Sequence, residues 1–135
     1  MKICENRGAT LIEIMIAVAV FSIAMVGLLD VTAQCVTMGK RAEFAYTAYN
    51  LAKNHIERLK ALDFASLASA AETGMVINAD GDPDTSGLFA RSTAVTTSYS
   101  NNANLTLVIV SVTYTMKGIQ SAAPMQVRYL FYNGG

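Results

Sequence analysis

The feature that most constrains this chain is an apolar segment close to its amino terminus. Residues 14 to 29 are interrupted only by Ser22, and an acidic side chain, Glu13, stands directly before them. An ionisable group in apolar surroundings costs several kcal/mol unless it finds a partner, so a solitary carboxylate there marks a functional site. The segment is close to the length that crosses a bilayer, so we expect Glu13 to pair with a cation.

A short charged leader precedes this segment and ends at Gly8. The run Arg7-Gly8-Ala9-Thr10-Leu11-Ile12-Glu13 resembles the processing and methylation site of type IV prepilins and of the pseudopilins of type II secretion. The resemblance implies cleavage after Gly8 by the prepilin peptidase and N-methylation of the new terminus at Ala9, where the family usually has phenylalanine. It also implies an assembly role for Glu13, whose cation would be the terminal amine of the preceding subunit.

Two simpler interpretations of the same segment stay open. A basic start followed by an apolar run also describes a secretory signal peptide, and cleavage after Ala33 would release a soluble domain that begins at Gln34. However, Glu5 and Glu13 both lie before the apolar core, whereas a signal leader is normally basic. A single-span anchor without an assembly role is the other alternative.

Composition and charge favour a small, membrane-tethered, exported protein. The chain has 135 residues and is 53% hydrophobic, so removal of one lipid segment leaves enough residues for one modest core. Lysine plus arginine equals aspartate plus glutamate at ten each, which leaves no electrostatic footprint for nucleic acid. Lys2 and Arg7 precede the apolar run and no base follows it until Lys40, so we expect the leader to face the cytoplasm.

A single long helix is predicted from residue 9 to about residue 62, because helix-forming residues dominate and no proline occurs before Pro83. Its second half is amphipathic, and Lys53, Glu57 and other charges occupy the remaining faces. The stretch Ala48 to Leu62 resembles the helix of minor pilins in the type IV pilus modification group and of a related minor pseudopilin. We expect His55 and Glu57 to be solvated helix residues. The apolar stripe consists of Phe44, Ala48, Leu51, Ala52, Ile56, Leu59 and Leu62.

The segment past Phe64 is predicted to be a loop, and turn-forming residues dominate Asn78 to Gly87. Asp80, Asp82 and Asp84 alternate like the start of a calcium-binding loop. The later positions of such a loop do not match, so a solvated loop without a cofactor is the main expectation and calcium a secondary one.

The last third of the chain is predicted to form strands, with a possible fourth at Met75 to Asn78. Short connections favour antiparallel neighbours, and the apolar face of such a sheet would cover the stripe of the helix. The fold class is therefore α+β, a pilin-like lollipop with a long amino-terminal helix packed on an antiparallel sheet of three to four strands. The three main strands are Leu88 to about Tyr99, Leu105 to about Met116, and Met125 to about Tyr132.

Four regions follow from these predictions. Residues 1–8 are the leader, residues 9–29 the apolar half of the helix, and residues 30–64 its amphipathic half. Residues 65–135 hold the loop and sheet, which form one globular domain with residues 40–64.

The exported part of the chain shows no pattern for catalysis, so we expect a structural protein rather than an enzyme. Removal of the leader leaves Cys35 as the one cysteine and excludes an internal disulfide, which favours a minor subunit over a main fibre subunit. We expect Cys35 to be a small apolar helix residue, and an intersubunit thiol is the less favoured alternative.

The function that the resemblance implies is that of a minor type IV pilin, and a minor pseudopilin of type II secretion is the alternative. The implied partners are other pilin subunits, the prepilin peptidase, an inner-membrane assembly platform, and lipid before assembly. The implied location is the bacterial inner membrane for the single-span precursor, and a pilus or pseudopilus after assembly. A weaker third hypothesis is an adhesive module with exposed aromatic side chains, for which the candidates are Tyr99, Tyr114, Tyr129 and Tyr132.

Overall fold

The computed structural model of the protein describes residues Thr10–Gly134 and contains one long helix and a five-stranded antiparallel sheet. The chain divides into two units, the first ending at Lys40 and the second beginning at Arg41. The predicted α+β class is confirmed. In chain order the elements are α1 (Leu11–Leu59), a 3-10 helix (Phe64–Ala70), β1 (Glu72–Ile77), β2 (Phe89–Thr96), a 3-10 turn (Tyr99–Asn101), β3 (Leu105–Met116), β4 (Ile119–Gln120) and β5 (Met125–Tyr132).

Helix α1 is continuous over 49 residues. Its first turn begins after Thr10, whose carbonyl accepts hydrogen bonds from the backbone N–H groups of Glu13 at 3.0 Å and Ile14 at 3.2 Å. At the other end, the backbone N–H of Leu62 bonds to the carbonyl three residues back, which tightens the last turn. The helix therefore ends before the predicted boundary near residue 62.

In the second unit, α1 buries most of the predicted stripe against the sheet. Phe44 is partly buried against the same core, whereas Leu62 is 46% exposed. The inclusion of Leu62 in the stripe was wrong, because the chain turns away after Leu59. The buried stripe residues are Ala48, Leu51, Ala52, Ile56 and Leu59.

The sheet has the order β1-β2-β3-β5, and every neighbouring pair is antiparallel. β3 lies in the middle, with its residues paired to β2 on one side and to β5 on the other. The short β4 also pairs with β3, at Thr115 and Met116, beyond the end of the β5 pairing. The sheet's two edges are consequently β1 on one side and β5 with β4 on the other.

Alternate residues of β3 define the two faces of the sheet. Val108, Val110 and Val112 are fully buried and belong to the core with the helix stripe. The residues that alternate with these valines, including Leu107 and Ile109, lie on the opposite face and are only partly buried. Because both faces of β3 are apolar, only the packing of the helix reveals which one is the inner face.

The predicted bounds of the strands that the structure contains as β3 and β5 agree with it, but the bounds of the other strands differ. β2 ends at Thr96, because Ser98 (φ 52°) and Asn101 (φ 60°) have left-handed backbone conformations that no extended strand contains. β4 was not predicted and lies in the connection between the strands predicted at Leu105 to Met116 and Met125 to Tyr132. Lys117 (φ 54°) and Gly118 (φ 78°) form the reversal between β3 and β4.

The region after the helix also has more structure than predicted. The segment Phe64–Ala70, expected to be a loop, is a 3-10 helix that buries Leu67 in the core. β1 begins at Glu72, ahead of the fourth strand proposed from Met75. The seven residues of the 3-10 helix contain one large aliphatic side chain, so their pattern gave no periodic signal.

We predict that Ile56→Ala lowers the free energy of unfolding by about 2–5 kcal/mol, because this side chain is 2% exposed within the core. Leu62→Ala removes a similar apolar group at the surface and should cost no more than about 1 kcal/mol. Urea unfolding of the full chain in detergent micelles, followed by tyrosine fluorescence, measures both. All six tyrosines lie in the second unit. Equal losses of unfolding free energy in the two variants would contradict the assignment of Ile56 to the buried face of the helix.

Candidate functional site

The first candidate is the apolar part of α1, residues 11–29. Every large apolar side chain there is at least 48% exposed. At about 1.5 Å per residue the segment is roughly 28 Å long, close to the hydrocarbon thickness of a bilayer. In the part of the chain that the structure describes, α1 is long and apolar enough to cross a membrane by length and composition.

Glu13 lies in the first turn of this helix, where it is exposed. A carboxylate is favoured at this end, since the free backbone N–H groups and the helix dipole present positive charge. Between Thr10 and Gly134, ion pairs form at Glu57 and Glu72 and none forms at Glu13.

The other polar groups in this region are satisfied locally. The Ser22 hydroxyl donates to the carbonyl oxygen of Val18 at 2.7 Å, which removes the cost of placing a hydroxyl in apolar surroundings. Just past the segment, the Gln34 amide donates to the Asp30 carboxylate at 2.8 Å. Glu13 is the one charged residue between Leu11 and Leu29.

Comparison with known protein families identifies this part of the chain. Residues 5–29 match the prokaryotic N-terminal methylation motif. The motif is the signature of type IV pilins and pseudopilins, a structural class, and this chain carries it. With the exposed apolar helix, it fits a membrane-anchored precursor of that class. No curated protein and no solved structure matched the chain.

The matched range contains all three residues for which a role in processing or assembly was predicted. Glu13 is placed as described, whereas Gly8 and Ala9 lie outside the described residues. Cleavage after Gly8, methylation of Ala9 and the pairing of Glu13 stay predictions.

The acidic loop between β1 and β2 is held by its own hydrogen bonds. The Asn78 side-chain oxygen accepts from the backbone N–H groups of Asp80 and Asp82, each at 3.0 Å. The backbone N–H and hydroxyl of Ser86 donate to Asp84 and lower the pKa of its carboxyl. Within residues 10–134, no group of three or more acidic, histidine or cysteine side chains is placed to hold a metal ion. Calcium binding by Asp80, Asp82 and Asp84 stays a prediction.

A second cluster, which the sequence did not reveal, lies inside the second unit. Arg91 of β2 is 8% exposed, and its guanidinium donates to both carboxylate oxygens of Glu72 on β1. The same guanidinium donates to the carbonyl of Gly81 at 3.3 Å, and the Thr93 hydroxyl donates to Glu72 at 3.1 Å. These bonds satisfy a buried charge that would otherwise be costly.

Gly81 suits this cluster because of its backbone. It has φ +89°, a conformation that side chains rarely adopt, and a Cβ there would come within 3.2 Å of the Leu51 side chain. The loop can therefore bring its carbonyl to Arg91 while it packs on α1.

His55 completes the cluster from the helix side. Its side chain is 13% exposed, and Nε2 lies 3.5 Å from Oε1 of Glu72 without a hydrogen-bond partner in the described chain. The expectation that His55 is solvated was wrong. Its position four residues from both Leu51 and Leu59 places it beside the buried stripe, and this spacing was the available signal. Glu57 is solvent-facing and pairs with Lys60 at 2.8 Å.

The environment shifts the pKa values of both titratable groups in the cluster. Burial lowers the pKa of His55, the charge of Arg91 lowers it further, and Glu72 opposes both. Burial raises the pKa of Glu72, but the hydrogen bonds and charge of Arg91 outweigh this effect, so its pKa is lowered overall. At neutral pH the cluster therefore contains a neutral imidazole beside an ionised Arg91–Glu72 pair.

The tyrosines of the adhesive hypothesis do not form one surface set. Tyr114 is half-buried and stacks on Phe44 with 5.8 Å between ring centroids, so it serves the core. Tyr99, Tyr129 and Tyr132 are exposed.

We predict that stability decreases on acidification below about pH 6.5. The pKa of His55 is lower in the folded protein than its usual 6.5, so the unfolded chain takes up the proton first and folding is opposed. The slope is at most about 1.4 kcal/mol per pH unit for one proton. Below pH 4.5 the lowered pKa of Glu72 adds a loss of the same sign.

Urea unfolding between pH 7.5 and pH 5 measures this slope, and His55→Gln should flatten it. His55 is the one histidine in the sequence, so no other imidazole contributes. If the unfolding free energy of His55→Gln depends on pH as steeply as that of the original chain, His55 is not the cause of this dependence.

Proposed function

We propose that this protein is a minor type IV pilin, a structural subunit that assembles into a pilus filament or primes its assembly. The observation that carries the proposal is the methylation motif at residues 5–29, which overlaps the exposed apolar helix segment at residues 11–29. The resemblance of residues 48–62 to the helix of minor pilins in the type IV pilus modification group supports the finer assignment. A single cysteine after Gly8 also favours a minor over a major subunit.

The proposed pathway begins with the precursor in the bacterial inner membrane. Residues 9–29 are held in lipid and the second unit is exported, in keeping with the basic leader before the segment. Prepilin peptidase cuts after Gly8 and methylates the amine of Ala9. The assembly platform then moves the apolar helix from lipid into a filament, where neighbouring helices replace lipid as the apolar surroundings.

Glu13 supplies the register in this mechanism. In the filament, the cationic terminal amine of one subunit would face the acidic side chain of Glu13 in the next. In apolar surroundings each charge is costly unless it meets the other. The pair therefore penalises every axial position except the correct one.

A pseudopilin of type II secretion is the second candidate, because the motif is common to pilins and pseudopilins. Its partners would be other pseudopilins rather than pilus subunits. Copurification from crosslinked membranes separates the two candidates, since each set of partners belongs to a different machine.

Processing is tested by the amino-terminal peptide and the intact mass of the protein, from cells with and without the prepilin peptidase. We expect a chain that starts at Ala9, carries one added methyl group, and depends on the peptidase. A start at Gln34 would identify a secreted domain, and an uncleaved chain a simple anchor. Either result would overturn the proposal.

Assembly is tested with Glu13→Ala, and Glu57→Ala serves as a matched control on the same helix beyond the apolar segment. We expect normal cleavage of both variants and at least a roughly tenfold loss of Glu13→Ala from sheared filaments, equivalent to about 1.4 kcal/mol of pairing energy. Equal recovery of the two variants would remove the assembly role of Glu13.

A further inference from the structure

A cleft opens in the second unit where α1 meets the loop between β1 and β2. Its volume is about 240 Å³. Pockets for cofactors and drug-sized ligands measure roughly 300–1,000 Å³, so this cleft has room for one side chain rather than for such a molecule. Its lining residues are Glu43, Phe44 and Thr47 of α1, Ala79 of the loop, Leu88 directly before β2, and Phe89 at the start of β2.

The lining of the cleft is mostly apolar and partly aromatic. The rings of Phe44 and Phe89 lie together with 5.8 Å between their centroids. Phe89 is buried and Phe44 is partly buried, so the core holds both rings in place. Leu88 is 50% exposed. Such a lining suits the apolar stem of a ligand, and aromatic rings also attract a cation placed over their faces.

Glu43 gives the cleft a negative charge. It is exposed, and none of the ion pairs formed between Thr10 and Gly134 involves it. The lining residues include no base. Asp80, which is exposed, directly follows the lining residue Ala79 and adds a charge of the same sign nearby. The cleft therefore repels a phosphate or a carboxylate and attracts a cation.

The walls of the cleft are fixed independently of a ligand. In the loop, Ile77 forms a bridge with Pro83, and a Cβ on Gly87 would overlap the carbonyl oxygen of Ile77. Glycine is therefore required at this close approach. On the other side, the carbonyl of Leu88 accepts a hydrogen bond from the backbone N–H of Thr115 at 2.7 Å. A site that is already ordered loses less conformational entropy when it binds.

We propose that this cleft binds a lysine or arginine side chain of a partner protein. The apolar stem of the side chain lies against the aromatic lining, and its charged end pairs with Glu43. The partner is a neighbouring pilin subunit, an identification that rests on the function proposed above, whereas the chemistry of the cleft does not. A lipid headgroup fits less well, because its phosphate would lie in a cleft without a base.

Binding is tested first with a small probe, so that the result does not depend on processing or assembly. The full chain is kept in nonionic detergent micelles, and the methyl NMR signals of Ala79 and Leu88 are followed during titration with Nα-acetyl-lysine methylamide. The control probe is Nα-acetyl-norleucine methylamide, which has the same stem without the amine. We expect a Kd at least about fivefold larger for the norleucine probe, because it lacks the charge. Equal Kd values, or no shift of the two methyl signals, would overturn the proposal.

The role of the carboxylate is tested with Glu43→Gln, which keeps the shape of the side chain and removes its charge. We expect the Kd of the lysine probe to increase at least about threefold, with no change for the norleucine probe. Glu57→Gln is the matched control, since Glu57 is exposed on the same helix and does not line the cleft. If Glu43→Gln binds the lysine probe as tightly as the control variant does, Glu43 is not the acceptor and the proposal fails.

The partner is identified by photocrosslinking in cells, with p-benzoylphenylalanine in place of Leu88. We expect a crosslink to a pilin subunit, mapped by mass spectrometry to a site beside a lysine or arginine, and a weaker crosslink when Glu43→Gln is added. A crosslink to lipid alone, or to a site without a base, would overturn the assigned occupant. If the lysine probe binds but no subunit is crosslinked, the assigned partner is wrong. Failure of cleavage after Gly8 would overturn the proposed function and leave probe binding unchanged.

Discussion

The structure depends on one helix that must satisfy two different kinds of surroundings. In the first unit of the chain, α1 exposes apolar side chains on all sides, and such a surface requires lipid or neighbouring protein around it. In the second unit of the chain, the same helix buries one apolar stripe against the sheet, and its charged side chains face outward. Because the helix is continuous, the exposed apolar residues 11–29 and the residues that organise the core belong to one secondary-structure element. The methylation motif covers the amino-terminal end of this helix, where no other described element packs against it.

The Arg91–Glu72 cluster is the polar counterpart of this apolar packing. Its hydrogen bonds join two strands and the loop after β1, and His55 of the helix lies beside it without a hydrogen bond to Glu72. Each hydrogen bond pairs a polar group whose burial without a partner would be costly. Removal of one partner therefore leaves a buried polar or charged group unpaired. The cluster therefore restricts how the loop and β1 can lie on the helix, whereas apolar contacts alone would tolerate several arrangements.

The sequence predicted the parts of the fold that depend on periodicity. The stripe from Ala48 to Leu59 and the bounds of β3 and β5 follow from spacing and turn residues, and the structure agrees. It could not predict features that depend on residues distant in sequence. Arg91 in the interior needs Glu72 as its partner, and the inner face of β3 is decided by the helix that covers it. β4 has only two residues and gave no pattern to detect. The prediction for Glu13 rests on its immediate neighbours in the sequence, whereas His55 was misjudged because its partner lies on another element.

The order of the elements along the chain has a consequence for how the protein folds. The stripe of α1 is synthesised before every strand that covers it, and the valines at the centre of the core come from β3, late in the sequence. The stripe therefore stays uncovered until β3 has formed beside β2, although each neighbouring strand pair closes only a short loop. During that interval the chain exposes an apolar helix face and unpaired strands, the condition under which nascent proteins associate with the wrong partners. Early attachment to the membrane through residues 11–29 would keep such chains apart while the sheet is completed.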